Sequence, residues 1–264
     1  MIMRGHVFSQ KLEMETCLTI VAPTSSLLEK PFKVVYLLHG VCGRSGDWVD
    51  YTMLPTYAGQ CDIVFILPEA ARSFYADMVN GQKYFSYITE ELPRICQRLF
   101  HISTVREDTA VMGASMGGYG ALKAALTYPE HYGYCYAISS ACLFIREFLE
   151  EHAPLGVAHV RSLLGDQLTN DFQAAFGESL KPNQGDDLLD LAKRIDPKEI
   201  RPQIHMFCGK EDGFLNLNRR FSRELDALGF NSIYEEWEGQ HDWYFFDQAL
   251  RKSLEAFTQS SARS

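Results

Sequence analysis

The stretch VMGASMGGYG, residues 111–120, decides how the chain reads. It holds four glycines, one alanine and one serine in ten positions, after a polar break and before a run of good helix formers. Within it, Gly113-Ala114-Ser115-Met116-Gly117 fits G-x-S-x-G between an apolar strand, TAVMGA (109–114), and a helix from Met116 to Leu126. A serine hydroxyl can project from the end of a sheet only if the chain turns from strand to helix within one residue, in a strained backbone conformation. Side chains two positions before and after would collide, so glycine stands at both. The new helix aims its first N–H groups at the space where negative charge would develop.

Two other readings compete. Gly117, Gly120, Ala121, Ala124 and Ala125 form one stripe of small residues that would seat the helix closely on a sheet. That accounts for Gly120 and the alanines, but not for Gly113 on the strand side. A phosphate loop would place a lysine directly after the glycines, and the nearest is Lys123, inside the helix.

The pattern continues on both sides. KVVYLLHG (33–40) is an unbroken apolar run ending in glycine, as expected of a strand buried on both faces. DIVFILPE (62–69), GYCYAIS (133–139), QIHMFCG (203–209) and SIYEEW (232–237) repeat it, and LEMETCLTIVAP (12–23) fits an outer, antiparallel strand. Helical spacing falls between them at Gln82–Leu99, Asn216–Leu228 before Gly229, and Trp243–Phe257, with a kink predicted at Pro93. Alternating strands and helices imply a mostly parallel sheet covered on both faces. Residues 141–201 show no strand and read as a helical cap inserted over one end of that sheet, within a single domain spanning 1–264.

Composition narrows the function. The chain has 264 residues, 46% hydrophobic and 22% charged, so a full core needs neither metal nor disulfide. Net charge is −9, with no basic block, which argues against nucleic acid or an anionic membrane as partner. No apolar signal-peptide core or membrane span is evident, and a cytoplasmic location is expected. Seven cysteines without C-x-x-C spacing read as reduced, mostly buried thiols. Cys42, in a glycine-rich loop, is the exception.

A serine nucleophile needs a base and a carboxylate to orient it, in this fold in the chain order Ser, acid, His. Among His131, His152, His159, His205 and His241, only His241 follows a strand through a short loop and opens the last helix. It is therefore the expected base. The acid should end a late strand before it. Asp212 is favoured, Glu211 is its nearest competitor, and Asp186, Asp187 and Asp196 read as surface charges. An oxyanion would be held by the N–H of Met116 and by that of Val41 in HGVCGRSGDW (39–48). His39 reads as shaping that loop through a hydrogen bond.

Together these segments resemble the esterase D family of α/β-hydrolases, closest to the bacterial tributyrin-esterase type. The matching stretches are LLHGVCGRSGDW (37–48), RSFYADMVNGQKYFSYITEELP (72–93), GASMGGYGAL (113–122), CGKEDGFLNLNRRF (208–221) and GQHDWYFFDQAL (239–250). The resemblance implies an α/β-hydrolase fold and hydrolysis of short-chain carboxylic esters through an acyl-enzyme, without cofactor or metal. It assigns Ser115, Asp212 and His241 as the triad, with Val41 and Met116 as oxyanion donors. It places Tyr75 and Asp77 at the pocket or its wall, and Trp48 and Trp243 as lining or support, with ordinary aromatic packing the alternative. Cys42 and Arg44 depart from the family pattern; Arg44 either recognises an anionic group on the substrate or is simply exposed. The expected partner is a small-molecule ester, and homo-oligomerisation is left open. An S-formylglutathione thioesterase, a feruloyl or acetyl-sugar esterase, and an inactive interaction module of the same fold remain as alternatives.

Overall fold

The computed structural model describes residues 1–24, 30–196 and 198–260. Its strands are β1 (Ile2–Ser9), β2 (Met14–Val21), β3 (Lys33–Leu38), β4 (Ile63–Pro68), β5 (Thr109–Ala114), β6 (Tyr134–Ile138), β7 (Gln203–Gly209) and β8 (Ser232–Trp237). They form one sheet in the order β1-β2-β4-β3-β5-β6-β7-β8. β1 pairs antiparallel with β2, and β2 with β4; all other neighbours are parallel. This is the α/β-hydrolase fold.

The apolar runs have the predicted physical cause. β4 and β5 are buried along their whole length. Successive residues point to opposite faces, and each face has its own core. Val34, Tyr36, Val64, Ile66 and Val111 face one core, and Val35, Leu37, Phe65, Ala110 and Met112 face the other. The second core is closed by α1 (Asp47–Tyr51), α2 (Leu54–Ala58) and α10 (Trp243–Ser260). The first is covered by α3 (Tyr84–Ser86), α4 (Leu92–Leu99), α5 (Met116–Thr127), α6 (Phe144–His152), α7 (Val157–Phe176), α8 (Leu188–Arg194) and α9 (Leu215–Ala227). Between β6 and β7 lie α6, α7 and α8, with α7 broken at Gly165.

Two expectations need correction, and a third takes a more specific form. The strand over 12–23 is not outermost: β1 lies outside β2 and is mostly exposed, so its sequence carries no apolar alternation. The interruption expected at Pro93 takes the form of a π turn. That turn spans Tyr87–Glu91, with the Leu92 N–H reaching Tyr87 O, and Pro93 follows directly in the first turn of α4. Gly120 does not seat α5 on the sheet. A Cβ there would lie 2.4 Å from the Tyr75 ring, so the glycine makes room for an aromatic side chain.

Candidate active site

Strands β3, β5, β6, β7 and β8 run parallel, so the segments leaving their C-terminal ends share one edge of the sheet. Ser115 leaves β5 with φ 59° and ψ −120° and caps the N-terminus of α5. Its N–H donates to Ile138 O at 2.9 Å, and its carbonyl accepts from Ala141 at 3.2 Å and Tyr119 at 3.1 Å. Those bonds hold a backbone conformation that costs a non-glycine residue on the order of 1–2 kcal/mol. The flanking glycines are sterically required. A Cβ on Gly113 would lie 2.3 Å from Gly117 O, and one on Gly117 would lie 2.3 Å from Leu38 O.

Asp212 follows β7 in a tight turn, its N–H bonded to Gly209 O at 3.1 Å. Its carboxylate is almost wholly enclosed. Oδ1 accepts the Phe214 N–H at 2.8 Å, and Oδ2 accepts His241 Nδ1–H at 2.8 Å. Burial alone would raise its pKa. The hydrogen bonds from His241 and Phe214, with the charge His241 can carry, outweigh burial and hold it below the ordinary carboxylate value. Glu211, the competing acid, is exposed and accepts from Gln240 Nε2 at 3.0 Å. The edges of Phe214 and Phe246 flank the His241 ring at 5.4 and 5.2 Å between centroids. His241 Nε2 has no protein partner among the described residues, and no hydrogen bond joins it to Ser115 Oγ. Such contacts are often loose before substrate binds.

The loop after β3 packs against Ser115: a Cβ on Gly40 would touch Ser115 Cβ at 3.5 Å. Gly40 O accepts from His39 Nδ1–H at 2.8 Å and from the Gly43 N–H at 3.0 Å. Because the peptide is planar and trans, this aims the Val41 N–H the opposite way. Neither that N–H nor the Met116 N–H, in the first turn of α5, donates to a protein acceptor among the described residues. His39 shapes the loop as expected. Its Nε2 accepts the Ala70 N–H at 3.0 Å, which makes the buried ring neutral with its proton on Nδ1. The approach of Glu69 Oε1 to Nε2, at 3.3 Å, is therefore not an ion pair.

The remaining predicted residues divide. Trp48 is buried and donates from Nε1 to Leu38 O at 3.0 Å, so it supports the loop rather than lining a pocket. Trp243 packs edge-on against Trp48 and stacks on Tyr51. It borders a surface cavity of about 510 Å³ together with Cys42, Gly43, Arg44, Asp47 and Tyr51. Tyr75 is buried and donates to His39 O at 2.8 Å. Asp77 is exposed and takes both the N–H and the hydroxyl of Ser86, which fixes the start of the helical stretch at α3. Arg44 is exposed, but its guanidinium is committed to Asp47 and Asp50, at 3.4 and 2.8 Å, leaving little charge for an anionic substrate. Cys42 is an exposed free thiol. Asp186 is not a surface charge. It is buried against Lys123, Nζ to Oδ1 2.6 Å, because that lysine points inward from α5.

Sequence reasoning missed two supports. Asn218, fully buried on α9, clamps the Ser140 backbone by accepting its N–H at 3.2 Å and donating to its carbonyl at 2.8 Å. An asparagine inside a helix is the signal that could have found it. Arg72, which lies within one of the matching stretches, donates to Val41 O.

The family model for esterases, described as "Putative esterase", matches residues 9–257. The chain belongs to this esterase family. It is a serine esterase acting on carboxylic ester bonds. The acetyl esterase of Caldicellulosiruptor saccharolyticus is 28% identical over 98% of this chain and 99% of that one. Two solved structures from Staphylococcus aureus share the fold. The fluorophosphonate-binding serine hydrolase FphF is 24% identical with a TM-score of 0.83, over 97% of this chain and 98% of that one. An S-formylglutathione hydrolase, over the same shares, has 24% identity and a TM-score of 0.81. Among the described residues of this esterase, no helix is long and apolar enough to cross a membrane.

Proposed function

We propose that this esterase hydrolyses esters of short carboxylic acids in the cytoplasm, with Ser115 as nucleophile, His241 as base and Asp212 as the group that orients it. The carrying observation is the buried Asp212 holding His241 Nδ1–H at 2.8 Å while Ser115 stands at a left-handed turn between β5 and α5. With the proton fixed on Nδ1, Nε2 is free to take the Ser115 proton as Oγ attacks the ester carbonyl. The oxyanion forms between the Val41 and Met116 N–H groups. His241 then protonates the leaving alcohol, and water enters the acyl-enzyme with His241 again as base.

Two features support a small acyl group. Phe214 stands against His241, and Phe144 of α6 packs on Phe214 at 5.6 Å, so aromatic bulk crowds one side of the base. The curated relative noted above is an acetyl esterase. In this reading the α6–α8 segment serves as a cap on a single domain.

A chain-length series of p-nitrophenyl esters, with S-formylglutathione run in parallel, tests the reading. The expected result is highest kcat/KM at two to four acyl carbons, a steep fall by eight, and loss of about 10⁴-fold or more in Ser115→Ala. Folded protein that does not react with a fluorophosphonate probe would sink it. Preference for the thioester would move the substrate class to thioesters and keep the triad.

A further inference from the structure

The loop of residues 69–76, after β4, carries three non-glycine residues at positive φ: Ala71 at 47°, Phe74 at 51° and Tyr75 at 49°. Such backbone persists only where its surroundings hold it. Here Glu69 Oε1 accepts the Ala71 N–H at 2.8 Å, Ser73 Oγ accepts the Tyr75 N–H at 3.1 Å, and Lys123 Nζ donates to Tyr75 O at 2.9 Å. The loop in turn buttresses the segment after β3. Tyr75 and Ala70 bond to His39, and Glu69 Oε2 accepts the Ser45 N–H at 3.1 Å. Arg72 lies between these contacts. Its Nη1 donates to Val41 O at 3.3 Å and lies 3.8 Å from Cys42 Sγ. Its Nε donates to Asp171 Oδ2 on α7 at 2.6 Å, and Asp171 Oδ1 accepts from Gln167 Nε2 at 3.0 Å.

We infer that Arg72 is a positioning residue for the oxyanion donor Val41, and that Asp171 ties this positioning to the helices between β6 and β7. The inference rests on the proposed role of Val41. Gly40 O is held by His39 and Gly43, which fixes the peptide before Val41. Val41 O is held by Arg72, which fixes the peptide after it. With both planar units held, the direction of the Val41 N–H is set from both sides. Removing Arg72 frees the second unit, between Val41 and Cys42, to rotate. A planar guanidinium addresses Asp171 through Nε and Val41 O through Nη1 in a fixed fork, a geometry that a lysine ammonium does not reproduce. A displaced donor weakens transition-state binding more than ground-state binding.

The test uses the full chain and p-nitrophenyl acetate. Arg72→Met should lower kcat about 10- to 100-fold with KM within about threefold, since small misplacements at a reacting centre cost up to about 100-fold. Arg72→Lys should fall between wild type and Arg72→Met. The double variant Arg72→Met/Asp171→Asn should be no slower than Arg72→Met, because both act through one contact. Arg220→Met is the control. It breaks another ion pair between these helices and the body, Arg220 Nη2 to Glu147 Oε1 at 2.6 Å, without touching the loop after β3. Thermal midpoints are recorded for every variant; if Arg72→Met does not fold, Arg72→Lys and Asp171→Asn carry the comparison. An unchanged kcat in the folded Arg72 variants, or an equal fall in Arg220→Met, overturns the inference. Ser115→Ala separates the two readings. If that variant stays active, the proposed triad is wrong; if it is dead while Arg72 variants turn over normally, only the positioning role is lost.

Discussion

Gly113 and Gly117 are small for a reason that can be stated as a distance. A methyl group at either would lie 2.3 Å from a backbone oxygen, and backbone cannot swing aside as a side chain can. Gly117→Ala should therefore cost about 3 kcal/mol or more, a fall in thermal midpoint of roughly 6–12 °C for a chain of this size. Esterase activity should fall with it, because the strain is relieved at the expense of the turn that carries Ser115. Gly5 is the contrast. It lies in β1 with open space where a Cβ would go, so Gly5→Ala should leave the midpoint within about 2 °C. Parallel thermal denaturation of the two variants checks both, and equal shifts would refute the steric account. These elbow glycines were legible in the sequence because the required geometry follows from the chemistry of an exposed serine. Gly120 was not. Its partner is Tyr75, forty-five positions earlier, and helical spacing within α5 carries no trace of a ring arriving from another loop.

Elements were legible where a strand carries an apolar run, whether it is buried on both faces as β4 and β5 are or half-buried at an edge as β8 is. β5, β7 and β8 match their apolar runs end to end, and β3, β4 and β6 do so within a residue or two. β1 escaped because it is an edge strand in solvent, held by its ladder to β2 rather than by apolar burial. The helical stretch between β6 and β7 was legible as helical, but its attachments were not. One of them is the pair of Lys123 on α5 and Asp186 before α8, both side chains under a tenth exposed. The Lys123 ammonium also donates to Tyr75 O and lies 4.3 Å over the Phe85 ring. Lys123→Met should cost about 3–5 kcal/mol, since it strands a buried carboxylate. Lys123→Met/Asp186→Asn should recover a substantial part by removing that charge. Urea unfolding of the three chains decides it. A double variant no more stable than Lys123→Met would mean that the lysine's bond to Tyr75 O, rather than the ion pair, carries the energy.

At the scale of the whole molecule, the proposed triad could be ordered along the chain because parallel strands deliver their following loops to one edge of the sheet. The hydrogen bonds that hold those loops were not, because each joins residues distant in sequence. The same scattered bonds set how stability depends on pH. Despite burial, Glu69 is held below the ordinary carboxylate value, with the Ala71 and Ser45 N–H groups donating to its carboxylate. Hydrogen bonding to Arg219 lowers Glu236 to about 2, and Asp212 is lowered as described above. A carboxylate lowered on folding leaves the unfolded chain binding more protons in acid. Its contribution is therefore complete above the unfolded value of about 4 and drains away as pH falls toward 2. His205 adds an earlier step. Burial lowers its pKa, with Glu235 partly opposing, so below about 6.5 the unfolded chain takes up a proton that the folded one resists. The thermal midpoint should accordingly be level from about pH 8 to 6.5, decline gently to about 5, and fall steeply below about 4.5. His205→Gln should reduce the gentle decline and leave the steep one. If that variant keeps the full decline between about pH 6.5 and 5, the early loss of stability belongs to another group than His205.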